Sequence, residues 1–173
     1  MTLNTDTLIR SEIGMDIPGV SAVEKAAFET DAEMRLVEML REDGLLTLSL
    51  VAVTDEGEVV GHAAFSPVEV EGSDGNWQGL APVAVHPDWQ GKGIGAALVE
   101  EGISTLGELG YPAVVVLGDP LYYRRFGFET AADYGLLCHW PVPPEAFMVL
   151  PLQEGVLEGV KGQVAYSEPF SKM

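Results

Sequence analysis

The spacing of apolar residues in the first third of the chain predicts two helices and then a β-hairpin. The first helix is predicted from four apolar positions at helical spacing, Val20, Val23, Ala27 and Phe28. The second is predicted to open at Asp31 and to stop at Gly44, with three apolar residues on one side, Leu36, Val37 and Leu40. Apolar runs at 48–53 and 59–65 flank turn-forming residues at 55–57, so they predict paired strands. Residues 72–76 read as a polar loop.

The middle of the chain predicts a strand, a glycine-rich turn, a helix and a second strand. The first strand, at 80–85, contains Pro82, and proline donates no ladder hydrogen bond, so we expect an edge or a β-bulge there. From Gly93 the apolar period becomes helical, with one face formed by Ile94, Ala97, Leu98, Leu106 and Leu109. The unbroken apolar run at 113–117 predicts a strand covered on both faces. Together these elements predict a parallel βαβ unit.

The last third predicts one short helix and several short strands. Asp119 followed by Pro120 is typical of a helix start, and Gly127 would end that helix after Phe126. Strands are predicted near 136–137, 147–152 and 164–166. The fold class is therefore α/β (α+β): a mixed, mostly antiparallel sheet of six to seven strands with a central parallel βαβ unit and flanking helices. We expect one domain over residues 1–173, with a core at about 7–152 and the segment 153–173 packed on it.

Composition narrows the class of protein. No secretory signal and no apolar run near the ~18 residues of a membrane span is visible, so a cytoplasmic protein is expected. Cys138 is the only cysteine, which excludes an internal disulfide and a cysteine-rich metal site. Nine basic residues stand against 27 acidic ones, for a formal charge of −18. This charge argues against nucleic acid or anionic membranes as partners and would favour a cationic amine substrate, although a solvated acidic surface explains it more simply.

The chemistry concentrates in residues 83–98, where three glycines fall within five positions between a strand and a helix. Glycine lets the backbone adopt positive φ and lets a ligand approach closely. The amides of a first helical turn have no acceptor in the helix and point outward, so they suit a pyrophosphate, with Lys92 adding charge. A P-loop fails here because Gly93 follows Lys92, and the dinucleotide fingerprint fails because Leu98 replaces its third glycine.

This run resembles motif A of the GNAT superfamily of N-acetyltransferases, Gln/Arg-x-x-Gly-x-Gly/Ala. The matching residues are Gln90-Gly91-Lys92-Gly93-Ile94-Gly95. The resemblance extends over most of the chain, from the two N-terminal helices to Tyr-Tyr-Arg-Arg-Phe-Gly-Phe at 122–128. The phrase at 117–128 is similar to that of the YhbS-like subgroup of bacterial N-acetyltransferases.

The resemblance implies acetyl-CoA as co-substrate and no metal. In that superfamily the fourth strand bulges away from the fifth, and the acetyl-pantetheine arm enters the gap. The main chain of Val83, Ala84 and Val85 would bind this arm. The pyrophosphate would be bound by the turn and the first helical residues, Gln90, Gly91, Lys92, Gly93, Ile94, Gly95 and Ala96.

Catalysis in the family is direct attack of a free primary amine on the thioester, and a tyrosine often protonates the departing thiolate. Tyr123 matches that tyrosine by its distance from Gly127, and Tyr122 is the adjacent alternative. The chain departs from the common layout because Val116 stands where many members have asparagine. Asp119 would cap the helix, contact the cofactor, or both, and Arg124 or Arg125 would either meet cofactor phosphate or be exposed.

The general base and the acceptor stay open at this point. His62, His86, Glu33 and Glu69 lie in plausible regions, with His62 more typical of a structural histidine, and a water relay would need no side chain. The acceptor would be a small-molecule or peptide amine. A non-catalytic acyl-CoA sensor of the same fold is the alternative function. C-terminal strands often form a dimer edge in this family, so a homodimer is one expectation.

Overall fold

The computed structural model describes residues 7–71 and 75–173, and within them it contains nine strands and four α-helices. In chain order these are β1 Thr7–Ser11, α1 Ile17–Ala27, α2 Ala32–Glu42, β2 Leu48–Thr54, β3 Val59–Val70, β4 Gln78–Val85, α3 Ile94–Glu108, β5 Ala113–Leu117, α4 Pro120–Arg124, β6 Glu129–Thr130, β7 Leu136–Cys138, β8 Phe147–Pro151 and β9 Gly162–Tyr166. The contacts group the chain into two compact units, and β3, β4 and α3 each run through both.

The first unit comprises the described residues of 1–65, 81–102 and 169–173. In it β1 pairs antiparallel with β2, and β2 pairs antiparallel with the first half of β3. Helices α1 and α2 cover one face, where seven buried residues form a cluster: Val20, Val23, Val37, Val51, Val53, Val59 and Ala84. The start of α3 packs on Gly61, where an added Cβ would lie 2.9 Å from Ile94 Cγ2.

The second unit comprises the described part of 66–80 and residues 103–168. Here β4 pairs parallel with β5 through Gln78 to Leu80, and β5 pairs antiparallel with β8, which in turn pairs with β6. The end of β3 pairs antiparallel with β9, and β9 pairs parallel with β7. The first four of the five positions of β5, Ala113 to Val116, are completely buried, as its unbroken apolar run predicts.

Strand β4 contains one residue more than the stretch of β3 beside it. Near one end the Val68 amide donates to the Trp77 carbonyl, and near the other the His86 amide donates to the Val60 carbonyl. Between these bonds the chain advances eight residues on β3 and nine on β4, and such an extra residue defines a β-bulge. Pro82 lies in this stretch, after a cis peptide bond from Ala81. The count agrees with the bulge that the proline predicts.

The helices and strands predicted from the sequence are confirmed, although their ends differ by a few residues, and two strands were missed. Strand β1 and the two-residue β6 were not predicted, which raises the count from six or seven to nine. Leu109 was expected on the buried face of α3, but that helix ends at Glu108 and Leu109 is 65% exposed because Gly110 reverses the chain at φ 88°. The short helix α4 ends at Arg124 rather than at Phe126.

The predicted polar loop lies partly outside the described residues, at 72–74. In the rest of the chain no helix is long and apolar enough to cross a membrane.

Candidate active site

The turn between β4 and α3 has the backbone that its glycines predict. Gly91 and Gly93 adopt φ values of 77° and 85°, in the left-handed region that favours glycine. A Cβ built on either residue would have no atom within 4 Å, so open space lies beside both. Glycine is therefore required here by backbone conformation, and the space beside it is available to a ligand.

The amides at this turn have no partner within the part of the chain that the structure describes. The first hydrogen bond of α3 is donated by the Ala97 amide to the Gly93 carbonyl, at 3.0 Å. Within the described residues, no atom accepts a hydrogen bond from the backbone amides of residues 91–96. These unpartnered donors stand at the positive end of a 15-residue helix. The arrangement fits an anion with several acceptor oxygens, such as a diphosphate.

Two side chains support the turn. The side-chain nitrogen Nε2 of Gln90 donates a hydrogen bond to the Val85 carbonyl at 3.0 Å, and this bond links the turn to the end of β4. The Lys92 ammonium lies 5.2 Å from the Trp89 ring centroid, a cation–π contact that keeps the positive charge beside the amides. His86 accepts a bond from the Asp88 amide and caps the short turn at 87–89, so its ring is used locally.

The residues expected to hold the thioester arm alternate in exposure along β4. Ala84 is buried in the cluster under α1 and α2, whereas Val83 and Val85 are half-buried. This alternation is the period of two that a strand imposes. The side chains of Val83 and Val85 therefore lie on the face opposite to Ala84.

Both candidate tyrosines pack against aromatic rings, and Tyr123 has the neighbours Tyr122 and Phe128. Its ring centroid lies 5.0 Å from that of Tyr122 and 5.7 Å from that of Phe128, both edge-to-face. Burial raises the pKa of Tyr123 to about 12, so its phenol carries a proton across the physiological range. Arg125 lies over the Tyr122 ring at 5.1 Å, and both Arg124 and Arg125 are exposed.

Asp119 caps α4, as its position before Pro120 predicts. Its Oδ1 accepts a bond from the Leu121 amide at 3.0 Å, and its carbonyl accepts bonds from the amides at 122 and 123. The cap thus fixes the start of the helix that carries both tyrosines. The carboxylate is exposed, so one oxygen stays accessible to solvent.

The first unit contains a buried polar group that the sequence analysis found only in part. His62 Nδ1 lies 2.7 Å from Glu24 Oε2, and His62 Nε2 lies 2.8 Å from Ser49 Oγ. Glu24 and His62 are both fully buried. Burial, with a smaller effect from nearby Glu33, raises the pKa of Glu24 to about 9, and burial lowers the pKa of His62 to about 4. Burial therefore favours the neutral form of both groups.

Glu24 and Ser49 were missing from the candidates, although the sequence holds a signal for one of them. Glu24 falls on the apolar side of α1, between Val23 and Ala27, and a carboxylate on a buried helix face needs a partner. Ser49 carries no comparable mark. Two other candidates for the general base lie outside this hydrogen-bonded group. Glu69 is exposed on β3, and Glu33 is partly buried at the start of α2.

A mixed sheet with one parallel βαβ unit and a glycine turn of unpartnered amides defines an acyltransferase fold of the GNAT type. Comparison with known proteins agrees: the model of the acetyltransferase (GNAT) domain matches residues 47–130. The N-acetyltransferase YhbS of Escherichia coli strain K12 is 53% identical over 165 residues, which cover 95% of this chain and 99% of that protein. The chain belongs to the GNAT family of N-acetyltransferases.

Two solved structures are similar over nearly the whole chain. One is E. coli YhbS in complex with CoA, with a TM-score of 0.93 at 52% identity, covering 96% of this chain and 92% of that one. The other is a GNAT family acetyltransferase from Brucella melitensis in complex with acetyl-CoA, with a TM-score of 0.80 at 38% identity, covering 95% and 97% of the two chains.

Proposed function

We propose that this N-acetyltransferase uses acetyl-CoA as donor and acetylates a primary amine by direct attack. The observation that carries the proposal is the row of unpartnered amides at residues 91–96, beside two glycines whose missing side chains leave open space. A diphosphate supplies the acceptor oxygens that these donors lack. Similar proteins crystallised with CoA and with acetyl-CoA support this choice of donor.

In this proposal the turn binds and orients the donor. The amides of 91–96 and Lys92 take the pyrophosphate, and the main chain of Val83, Ala84 and Val85 takes the pantetheine arm. Gln90 holds the Val85 carbonyl, so the turn and the strand are positioned together. Asp119 and Arg124 stay proposed contacts, the first because the cap uses only one of its carboxylate oxygens and the second because it is an exposed cation at a helix end.

Tyr123 is the proposed acid that returns a proton to the leaving thiolate. Its raised pKa means that a proton is always present on the phenol, but also that transfer to a thiolate needs close placement. Tyr122 stays the alternative. The acceptor is proposed to be a small-molecule or peptide amine, and the cytoplasmic location and a homodimer remain predictions.

Two measurements test the proposal in sequence. A thermal-shift series with acetyl-CoA, CoA and NAD should show stabilisation by the first two alone, since ligand binding to the folded state raises the melting temperature. An amine library with detection of free CoA thiol should then reveal turnover. A chain that binds acetyl-CoA but acetylates no amine would favour the sensor function, and a chain that binds no acyl-CoA would contradict the proposal.

A further inference from the structure

Two hydrogen bonds join three side chains from three elements of the first unit. In the β2–β3 register Ser49 lies opposite Ala64, two residues along β3 from His62, so both polar side chains share one face of the sheet. Ser49 Oγ lies 2.8 Å from His62 Nε2, and His62 Nδ1 lies 2.7 Å from Oε2 of Glu24 on α1. The imidazole therefore stands between a hydroxyl and a carboxyl group, with one nitrogen facing each.

This order of groups is the one by which enzymes make a serine nucleophilic. A carboxyl group that accepts from Nδ1–H leaves Nε2 as the acceptor for the hydroxyl proton. Removal of that proton turns a weak nucleophile into one that attacks a carbonyl carbon. Such a triad is identified by geometry and by the roles of its members, so it can occur on any fold. In this chain the three roles fall to Ser49, His62 and Glu24.

The hydroxyl of this group lies at the wall of a surface pocket. Half-buried Ser49 lines a pocket of about 400 Å³, whereas His62 and Glu24 are fully buried behind it. A molecule in the pocket can therefore contact the serine, while burial keeps water from competing for the two hydrogen bonds of the imidazole. A nucleophile needs such access, and its base and the carboxyl group do not.

The described residues that line this pocket favour a neutral substrate with a short apolar group. The two charged ones, Glu12 and Arg41, form an ion pair at 2.6 Å, so their formal charges cancel. Three aliphatic side chains supply apolar wall, namely Ile17, Leu46 and Leu48. A charged substrate would find no net opposite charge among these residues. A short-chain ester fits both the charge and the apolar wall.

Arg41 also provides a hydrogen-bond donor for the carbonyl oxygen of an ester. Its Nη2 is bonded to Glu12, but its Nε has no hydrogen-bond partner among the described residues. The guanidinium is near enough to His62 to lower the pKa of the imidazole, so it lies close to the triad as well as at the pocket. A positioned cationic N–H donor stabilises the negative oxygen that forms when a carbonyl is attacked.

We infer that Ser49 is the nucleophile of a second active site, which hydrolyses neutral short-chain acyl esters and needs no acyl-CoA. Ser49, His62 and Arg41 contact the reacting atoms in this site. Glu24 is a positioning residue that acts through His62. The site uses none of the residues assigned to the proposed acetyl transfer, so either activity can fail without the other.

The reaction balances as two successive acyl transfers. The O–H bond of Ser49 breaks and its proton moves to His62 Nε2 as Oγ bonds to the carbonyl carbon. The resulting oxyanion accepts a hydrogen bond from the Arg41 guanidinium, and its collapse breaks the ester C–O bond. The leaving oxygen takes the proton from Nε2 and departs as an alcohol. Water then attacks the acyl-serine by the same route, which releases a carboxylic acid and returns a proton to Ser49.

The buried carboxyl group makes this activity depend on pH. Burial, with a smaller effect from Glu33 on α2, raises the pKa of Glu24 to about 9. Burial lowers the pKa of His62 to about 4, and the opposite effects of Glu12 and Arg41 on that pKa partly cancel. The imidazole is thus a weak base while Glu24 is neutral. Loss of the Glu24 proton places a negative charge beside Nδ1 and strengthens Nε2 as a base, so hydrolysis should rise as the pH passes through about 9.

The first test measures hydrolysis of p-nitrophenyl acetate by the full chain, with no CoA or acetyl-CoA present. Ser49→Ala should lower the rate above the buffer background at least about tenfold, because the nucleophile is lost. Ser11→Ala is the matched control, since Ser11 lines the same pocket, and it should retain the wild-type rate. Wild-type hydrolysis no faster than buffer, or equal rates in the two variants, would overturn the inference.

Covalent labelling identifies the nucleophile without a variant that has to fold. Diisopropyl fluorophosphate transfers its phosphoryl group to an activated serine and releases fluoride. The wild-type chain should gain one label, and peptide mass spectrometry should assign it to Ser49. An unlabelled chain, or label at other residues alone, would contradict the inference even if Ser49→Ala does not fold.

The pH profile of hydrolysis tests the role of Glu24. Glu24→Gln keeps the shape of the side chain but cannot ionise, so the rise near pH 9 should disappear. Glu38→Gln makes the same change at an exposed position of α2 and should keep the rise. A purely structural role of Glu24 would lower the rate at every pH and leave the shape of the profile unchanged, and that result would overturn its assignment as a positioning residue.

Discussion

The Tyr123 ring lies directly against the backbone of Gly118. A Cβ built on Gly118 would stand 2.6 Å from Tyr123 Cε2, closer than non-bonded carbon atoms approach. Gly118 does not adopt a left-handed backbone conformation, so this contact is the reason for a glycine there. The residue after β5 and the tyrosine on α4 are therefore matched in shape, and the first prediction follows from this contact.

Gly118→Ala should displace the Tyr123 ring and lower turnover, with the Kd for CoA within about twofold of wild type. Tyr123→Phe should lower kcat by at least about tenfold, because the phenol proton is lost while the ring still packs. Steady-state kinetics measure the loss of turnover, and isothermal titration calorimetry with CoA shows whether the Kd for CoA is unchanged. A larger loss in Tyr122→Phe than in Tyr123→Phe would assign the acid to Tyr122 instead.

Gly93→Ala should weaken CoA binding at least about tenfold, because a methyl group would enter the space beside the unpartnered amides. The left-handed φ of 85° should also cost about 1 kcal/mol of stability. Gly57→Ala is the control, since Gly57 has a φ of 83° and equally open space in the β2–β3 turn. Thermal unfolding should show similar losses in both variants, and calorimetry with CoA should show a loss of affinity in Gly93→Ala alone. Equal CoA affinities in the two variants would contradict the assignment of this turn.

Two glycines of α3 should respond to alanine in opposite directions. At Gly102 a Cβ would overlap the Phe65 ring, so Gly102→Ala should destabilise the fold by about 1–3 kcal/mol. At Gly107 a Cβ would meet nothing within 4 Å, and the better helix propensity of alanine should stabilise the fold by about 0.5–1 kcal/mol. Urea unfolding of the two variants measures both signs. A loss at Gly107 as large as that at Gly102 would contradict both the propensity argument and the assignment of the Gly102 loss to the Phe65 contact.

The features that could be predicted from sequence are those that local chain chemistry determines. The turn at Gly91 and Gly93, the cap at Asp119 and the apolar strand β5 each follow from residues within a few positions of one another. Pro82 likewise marked the bulge in β4 because a missing N–H is a property of the residue itself.

The features that were missed depend on partners far away in sequence or on a weak pattern. Strand β1 buries Thr7 at 1% exposure beside Ile9 and leaves Leu8 45% exposed, so its sequence does not alternate apolar and polar residues as a half-buried strand is expected to. The contact between Glu24 and His62 joins residues 38 positions apart, and no local signal pairs them. Such contacts form only when the sheet and α1 are assembled.

The stability of the protein at alkaline pH should reveal the buried proton of Glu24. The folded pKa of this group, about 9, lies above the ordinary value of 4.5, because burial disfavours the charged form. A raised folded pKa gives stability that is complete below the unfolded pKa and is lost as the pH rises toward the folded pKa. Between pH 7 and 9, where the unfolded His62 is already mostly neutral, the free energy of unfolding of wild type should therefore fall relative to that of Glu24→Gln, which cannot ionise. Urea unfolding of both proteins at half-unit pH steps measures this difference. A difference that stays constant across the window would mean that Glu24 is already ionised in the folded protein at pH 7.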